Sequence, residues 1–353
     1  MELAIVLIGY GVVGQGLIDL LVRTADTLRE THGVSFRVVG ICDLLRGSVY
    51  RPDGLSLSEV QRAVRQSESL ADCCTTAMTG LDALQMIEQS DAHVVVEATP
   101  TDITTGEPAM SYFKAALQTG KHLVTTNKGP TALALHELTQ MARENGVEFL
   151  YEGTVMAGTP VLNLARRFLA GCSFTRIRGI LNGTTNYLLS RMEEGLSYDE
   201  ALREAQRLGY AETDPKNDVE GFDTLAKVVI LANSLIGANL RVTDVACRGI
   251  SDFEPQVIQE ATREKAHWKL TGEITRNAGM LTARVGPEKV PAADPLYSIT
   301  GSTNAITFST DLLEDVTIVG PGAGKTETGF ALLADLLEVC RIEAGSKQSR
   351  GQA

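Results

Sequence analysis

The opening "MELAIVLIGYGVVGQG" limits what this chain can fold into more than any other stretch. An apolar run of strand-forming residues ends in Gly9-x-Gly11-x-x-Gly14, where Gly11 and Gly14 enclose Val12 and Val13, and a helix-like stretch follows at once. In such a turn Gly9 makes the sharp bend, Gly11 leaves backbone open to a pyrophosphate, and Gly14 lets helix and strand pack closely. The helix N-terminus then faces the phosphates with partial positive charge. The spacing alone also describes a plain glycine-rich turn; the strand–turn–helix context is what points to a dinucleotide.

The rest of the first 150 residues keeps the alternation. Short runs rich in Val and Ile ("FRVVGICD", "AHVVVEAT", "KHLVTTN", "VEFLYEG") are separated by amphipathic stretches such as "LSEVQRAVRQSESL" and "TALALHELTQMARENG". Strands alternating with helices predict right-handed β-α-β units and a parallel sheet. The middle of the chain mixes strand-like "FTRIRGILNG", "GMLTARVGPEKV" and "NAITFST" with helix-like "SYDEALREAQRLG" and "DTLAKVVILANSLIG". The fold class is therefore α/β: an N-terminal Rossmann-type dinucleotide-binding domain with a second, α+β domain for substrate binding and dimerisation. The expected boundaries are 1–152 plus 311–353 for the first and 153–310 for the second, with "EDVTIVGPGAG" and the helix after it returning to the first sheet.

Asp43 ends the second predicted strand, where an acid binds the ribose 2′-hydroxyl of NAD and repels the 2′-phosphate of NADP. It lies further from Gly14 than the usual spacing of about 20 residues, which a longer first helix and loop account for. Arg46 lies close enough to offset that repulsion, so the cofactor is NAD or NADP, leaning to NAD.

Several classes are disfavoured. A net charge of -12 on 353 residues argues against nucleic acid or an anionic membrane as partner. No apolar run approaches the roughly 20 residues of a membrane span, and the N-terminus resembles no targeting peptide. Six scattered cysteines without C-x-x-C spacing are expected to be reduced thiols, in a cytoplasmic protein. "GPGAGKT" imitates a phosphate-binding P-loop, but Gly320 and Gly324 enclose one residue too few. No histidine pairing suggests zinc.

"GYAETDPKNDVEGFDTLAK", residues 209–227, crowds Glu212, Asp214, Asp218, Glu220 and Asp223 around Lys227. Asp214-Pro215 marks a turn, so Glu212 and Asp214 are expected on a loop, with Asp218 as N-cap of the next helix. Glu220, Asp223 and Lys227 would then share one helix face, with Asp223 and Lys227 as an i, i+4 pair. An exposed ion-pair ladder has the same spacing. The apolar "VVILANSLIGANL" that follows favours instead a lysine held among acids as a proton donor.

With these motifs the chain resembles homoserine dehydrogenase, over nearly its whole length. "GYGVVG", "EATPTDITTGEP", "TTNKGP", "YEGTVMAGTP", "GILNGTTNY", the acidic stretch and "GPGAG" occur in the family's order. The resemblance implies interconversion of L-homoserine and L-aspartate 4-semialdehyde with NAD(P), in threonine, methionine and isoleucine biosynthesis. It implies Lys227 as catalytic lysine with Asp223 beside it, and Lys128 as a second lysine near nicotinamide and substrate. Glu212, Asp218 and Gly209 would bind the amino acid, with Glu212 on its ammonium. Thr99, Pro100 and Gly324 would approach the cofactor. A monovalent cation, Na⁺ or K⁺, would sit on the Glu152 carboxylate and the carbonyls of Val155, Ala157 and Thr159, the oxygen ligands a hard cation prefers. A homodimer through the second domain's sheet is expected, in a short form without kinase or regulatory domain. Lys325 and Glu327 depart from the small residues expected after "GPGAG". Two other readings of the residues stand beside this one: a different Rossmann semialdehyde oxidoreductase with a cysteine nucleophile, or a non-catalytic dinucleotide sensor.

Overall fold

Two sheets organise the chain, one in each of two compact units. The computed structural model describes residues 1–277 and 279–350, with side chains to 345. One unit comprises Met1–Gly158 and the chain from Gly324 onward; the other is Thr159–Ala323.

Among the described residues the first unit's sheet has seven strands: β1 (Glu2–Ile8), β2 (Ser35–Asp43), β3 (Gly47–Tyr50), β4 (Met78–Thr79), β5 (Val94–Glu97), β6 (His122–Thr125) and β7 (Phe149–Leu150), in the order β4-β3-β2-β1-β5-β6-β7. β2, β1, β5, β6 and β7 run parallel, as the β-α-β alternation predicts. β3 and β4 add antiparallel at the β2 edge, so the sheet is mixed. From Leu3 to Ile8 every β1 residue is buried, because helices cover both faces of a central parallel strand. Each buried Leu, Ile or Val contributes about 1.5–3 kcal/mol relative to exposure. Strand order reverses at β1, and the carboxyl ends of β1 and β5 meet there. Gly9 follows β1 with φ of 95°, and a Cβ on it would lie 2.6 Å from the Ala98 carbonyl oxygen. In sheets of this kind that reversal point is where ligands bind.

The second unit's sheet contains β8 (Phe174–Ile180), β9 (Ala246–Cys247), β10 (Ala266–Asn277), β11 (Met280–Pro291), β12 (Thr303–Thr310) and β13 (Glu314–Pro321), in the order β13-β12-β8-β10-β11-β9. The expectation that "EDVTIVGPGAG" returns to the first sheet is corrected here. β13 pairs antiparallel with β12 from Thr303↔Pro321 to Thr310↔Glu314, a hairpin whose two-residue alternation outweighs the strand-then-helix resemblance to a β-α unit. Only the helix returns, so the first unit resumes at Gly324 rather than 311 and extends to Gly158 rather than 152.

That returning helix, Lys325–Arg350, lies against the first helix, Val12–His32, through a crossing of small residues. A Cβ on Gly16 would overlap the Lys325 carbonyl, and one on Gly329 would come within 2.6 Å of the Gly16 carbonyl carbon. Lys325 pairs with Asp19 across this crossing at 2.7 Å, and the Glu327 carboxylate folds back over Gly324. Both charges that departed from the family pattern thus have structural uses. Gly329→Val is expected to destabilise the protein by about 1–3 kcal/mol through overpacking, read as a lower urea midpoint. An unchanged midpoint would contradict the crossing.

Candidate active site

In the second unit the acidic stretch folds differently from a single capped helix. A short helix, Lys216–Val219, is followed by Gly221 with φ of 83°, and then by the helix Phe222–Leu231. The expectation that Asp218 caps the second helix is therefore corrected: it lies inside the first one. Glu220 likewise precedes the break rather than sharing the helix with Asp223. Gly221 allows the left-handed turn that lets the two helices meet at an angle and aim both aspartates at one residue.

That residue is Asn182, the N-cap of the helix Gly183–Glu193, in "GILNGTTNY". Its Oδ1 accepts from Thr185 N at 2.9 Å, which fixes the amide's orientation. Its Nδ2 then donates to Asp218 Oδ1 at 2.6 Å and Asp223 Oδ2 at 2.9 Å. Lys227 Nζ donates to the same Asp223 oxygen at 2.6 Å and to the Leu181 carbonyl at 2.6 Å. Lys227 is 6% exposed, so this is no solvated ladder. Removing one partner from such a buried pair typically costs about 3–5 kcal/mol. An ammonium has three donors; two are engaged among the described residues. Burial, and then the neighbouring Asp223 charge, push the Asp218 carboxyl above its usual range.

The remaining predicted substrate residues lie nearby in sequence but outside this hydrogen-bonded set. Gly209 has φ of 78° after the helix Tyr198–Arg207. Thr184 Oγ1 holds the next carbonyl, that of Tyr210, at 2.6 Å. Glu212 stands exposed on the following loop, its carbonyl accepting from Gln206 Nε2.

The cofactor-side residues belong to the first unit. Gly11 is the N-cap of Val12–His32, and a Cβ added there meets nothing within 4 Å, so the helix N-terminus opens onto free space. On Gly14 a Cβ would overlap the Gly9 carbonyl. These are the close packing and the open approach that a dinucleotide pyrophosphate requires. Val12 is exposed and Val13 half-buried on the first turn. Asp43 Oδ2 accepts from Tyr10 N at 2.8 Å, while its Oδ1 takes the Leu45 and Arg46 amides, each at 3.0 Å. The Arg46 guanidinium lies 3.7 Å from that oxygen. A carboxylate oxygen has two acceptor sites, and on Oδ2 one of them is taken by the Tyr10 amide. Thr99 and Pro100 occupy the loop after β5 and Lys128 opens the helix after β6, and the loops after both strands are tied to Glu97. Glu97 is fully buried at the end of "VVVE". Sequence reasoning passed it over, although a carboxylate closing an otherwise apolar strand was a usable signal.

"YEGTVMAGTP" forms a short turn at Glu152–Thr154 followed by two left-handed residues, Met156 (φ 58°) and Ala157 (φ 48°). Glu152 is buried, and its amide donates to Asp335 Oδ2 at 2.9 Å. Thr159 lies in the other unit, donating through Oγ1 to the Pro321 carbonyl at 3.1 Å. Among the described residues no group of three His, Cys, Asp or Glu side chains gathers as for a transition metal. The first two glycines of "GPGAG" have packing reasons inside the second unit: a Cβ on Gly320 would overlap Thr159, and one on Gly322 would overlap Asn304.

Comparison with known proteins identifies the family. The family profile described as homoserine dehydrogenase matches residues 160–337, and its NAD binding domain matches 9–152. The chain belongs to the homoserine dehydrogenase family. It is 45% identical over 339 residues to an NAD(+)-dependent homoserine dehydrogenase from Pseudomonas canavaninivorans, covering 96% of each chain. Identity to the homoserine dehydrogenase of Methanocaldococcus jannaschii is 41%, over 95% of this chain and 98% of that one. A crystal structure of the Thiobacillus denitrificans homoserine dehydrogenase superposes with a TM-score of 0.85 at 29% identity, over 98% of this chain and 74% of that chain. A hyperthermophilic archaeal homoserine dehydrogenase in complex with NADPH superposes at 0.82 with 27% identity, over 96% and 98%. Family membership makes the chain an NAD(P)-dependent oxidoreductase that acts on homoserine.

Asp218→Asn tests the cluster's electrostatics. A carboxyl raised in the folded state favours the protonated form, so its ionised form costs stability at neutral pH. That cost disappears below the unfolded value of about 3.9. Asparagine can still accept from Asn182. The variant should therefore melt higher than wild type at pH 7, with the difference closing toward pH 4. A lower melting point at pH 7 would contradict the assignment.

Proposed function

We propose that Lys227 is the acid/base of homoserine oxidation and semialdehyde reduction. The observation that carries this reading is a buried ammonium fixed by Asp223 and the Leu181 carbonyl. In the reducing direction its third donor meets the aldehyde oxygen, stabilises the developing alkoxide and then protonates it. In the oxidising direction the neutral amine takes the alcohol proton. Asp223 orients the amine, and its negative charge offsets the ammonium's burial.

Asp218, Gly209 and Glu212 hold the amino-acid end of the substrate, with Glu212 on the ammonium. Asp218 is supported by its place beside Asp223, Glu212 by the family likeness alone. The bound nicotinamide supplies or accepts the hydride. Gly9, Gly11 and Gly14, with Val12 and Val13, cradle its pyrophosphate, and Thr99, Pro100 and Lys128 position the nicotinamide end. Gly324, which opens the returning helix, completes this set.

NAD is the preferred cofactor. The supporting observation is that the Asp43 carboxylate is suited to a hydroxyl and hostile to a phosphate, while Arg46 is already directed at Asp43. The relatives' descriptions cover both cofactors. The buried Glu152 turn with its left-handed Met156 and Ala157 supports a Na⁺ or K⁺ site completed by the carbonyls of Val155, Ala157 and Thr159. A homodimer on the second unit's sheet is supported by exposed Leu312, Leu313 and Val319 on its outer hairpin. Among the described residues no helix is long and apolar enough to cross a membrane, and a cytoplasmic location fits an enzyme of amino-acid biosynthesis.

Lys227→Met should lower kcat by at least about 10²-fold while NAD affinity, followed by cofactor fluorescence titration, stays unchanged. Near-normal turnover would remove Lys227 from the chemistry. Glu212→Gln should raise KM for homoserine more than KM for NAD; a defect confined to NAD would show that Glu212 is misplaced. With wild-type enzyme, kcat/KM should favour NAD over NADP by about tenfold, or ~1.4 kcal/mol. The reverse ratio would overturn the reading of Asp43.

A further inference from the structure

We infer that Glu97 is a positioning residue that holds the two loops after β5 and β6 in fixed register, and so sets where Lys128 stands. The inference rests on the reading of Lys128, Thr99 and Pro100 as cofactor-side residues. Glu97 touches neither substrate nor cofactor in this account.

Glu97 ends β5 and is fully buried. Its carboxyl gathers donors from both loops. Oε1 accepts from the Thr99 amide at 2.9 Å, from the Thr99 hydroxyl, and from Asn127 Nδ2 at 3.4 Å. Oε2 lies 2.9 Å from Thr125 Oγ1, the last residue of β6. Thr125 Oγ1 in turn accepts from the Asn127 amide at 2.9 Å. Asn127 then closes the connection, with Nδ2 also donating to the carbonyls of Thr99 and Pro100 at 3.2 and 3.3 Å. Its Oδ1 caps the helix Lys128–Glu144 by accepting from Gly129 N at 3.0 Å. Lys128 therefore sits between two backbone positions, Asn127 and Gly129, that are both fixed through Glu97. Gly129 has no freedom on its other side either, since a Cβ there would overlap the Asp102 carbonyl.

The network works by shape rather than by charge. Thr125 has one hydroxyl hydrogen and two acceptors within reach, Glu97 Oε2 and the Glu97 carbonyl at 3.0 Å. A glutamine in place of Glu97 resolves that competition: its amide nitrogen donates to Thr125 Oγ1, whose hydrogen turns to the carbonyl. Burial also pushes the Glu97 carboxyl above its usual range, so a neutral side chain suits the site. An alanine would take the acceptor from the Thr99 amide and hydroxyl and leave Asn127 Nδ2 with only the Thr99 and Pro100 carbonyls, so the two loops lose their shared anchor. Small displacements of a positioning group cost up to about 10²-fold in rate.

The test compares wild type, Glu97→Gln, Glu97→Ala, Lys128→Ala and the Glu97→Ala/Lys128→Ala double variant, with kcat, both KM values and the melting temperature for each. Glu97→Ala is expected to lose about 10²-fold in kcat/KM, mainly in kcat. Glu97→Gln should recover most of that loss, and the double variant should be no worse than Lys128→Ala alone. The inference is overturned if Glu97→Ala lowers only the melting temperature, if Glu97→Gln is as impaired as Glu97→Ala, or if the two losses multiply. A silent Lys128→Ala beside an impaired Glu97→Ala would instead refute the role given to Lys128 and leave the loop-holding role standing. Should Glu97→Ala fail to fold, Thr125→Val removes the bridging hydroxyl at nearly constant volume. A fall in kcat supports the inference there, and wild-type kinetics overturn it.

Discussion

A lysine ammonium taken out of water must be neutralised and hydrogen-bonded, and much of the second unit is arranged around that requirement. An isolated buried charge costs several kcal/mol, so Lys227 is tolerable only with Asp223 four residues earlier and the Leu181 carbonyl at 2.6 Å. The depth of the amine depends on how closely its helix approaches β10. Gly272 permits that approach, since a Cβ there would meet Val228 at 2.5 Å and Thr224 at 3.1 Å. A strand glycine thus sets where the Lys227 amine lies.

The same arrangement holds a strained element. Asp218 and Asp223 are two carboxylates drawn to one asparagine amide, and burial with like-charge repulsion opposes ionisation of Asp218. A structure selected only for stability would replace one of them. In the first unit Glu97 presents a related case, a carboxyl at an apolar strand end whose two oxygens reach donors on both loops.

Much of this was legible in the sequence, for definable reasons. Strand periods and the glycine turn revealed the first sheet because parallel strands are continuous apolar runs. The i, i+4 spacing of Asp223 and Lys227 survived folding because it depends only on one helix. What failed depended on contacts distant in sequence. Asp218 reads as a cap in the sequence because the break at Gly221 depends on packing against Cys247 and Val285. β13 was assigned to the wrong sheet because a strand followed by a helix looks alike whether its partner is antiparallel β12 or a parallel neighbour. Nothing local in "GILNGTTNY" shows that the Asn182 amide bridges residues 218 and 223. Glu97 carries a local signal, a carboxylate closing an apolar strand, but its role depends on Thr125 and Asn127, which come from the next β-α unit.

The most direct measurement is a crystal structure with L-homoserine and oxidised cofactor bound. The account predicts the homoserine hydroxyl oxygen within about 2.6–3.2 Å of Lys227 Nζ, with the Asp223 contact intact. A complex in which that hydroxyl is held by another group, with Lys227 still bonded only to Asp223 and Leu181, would contradict it.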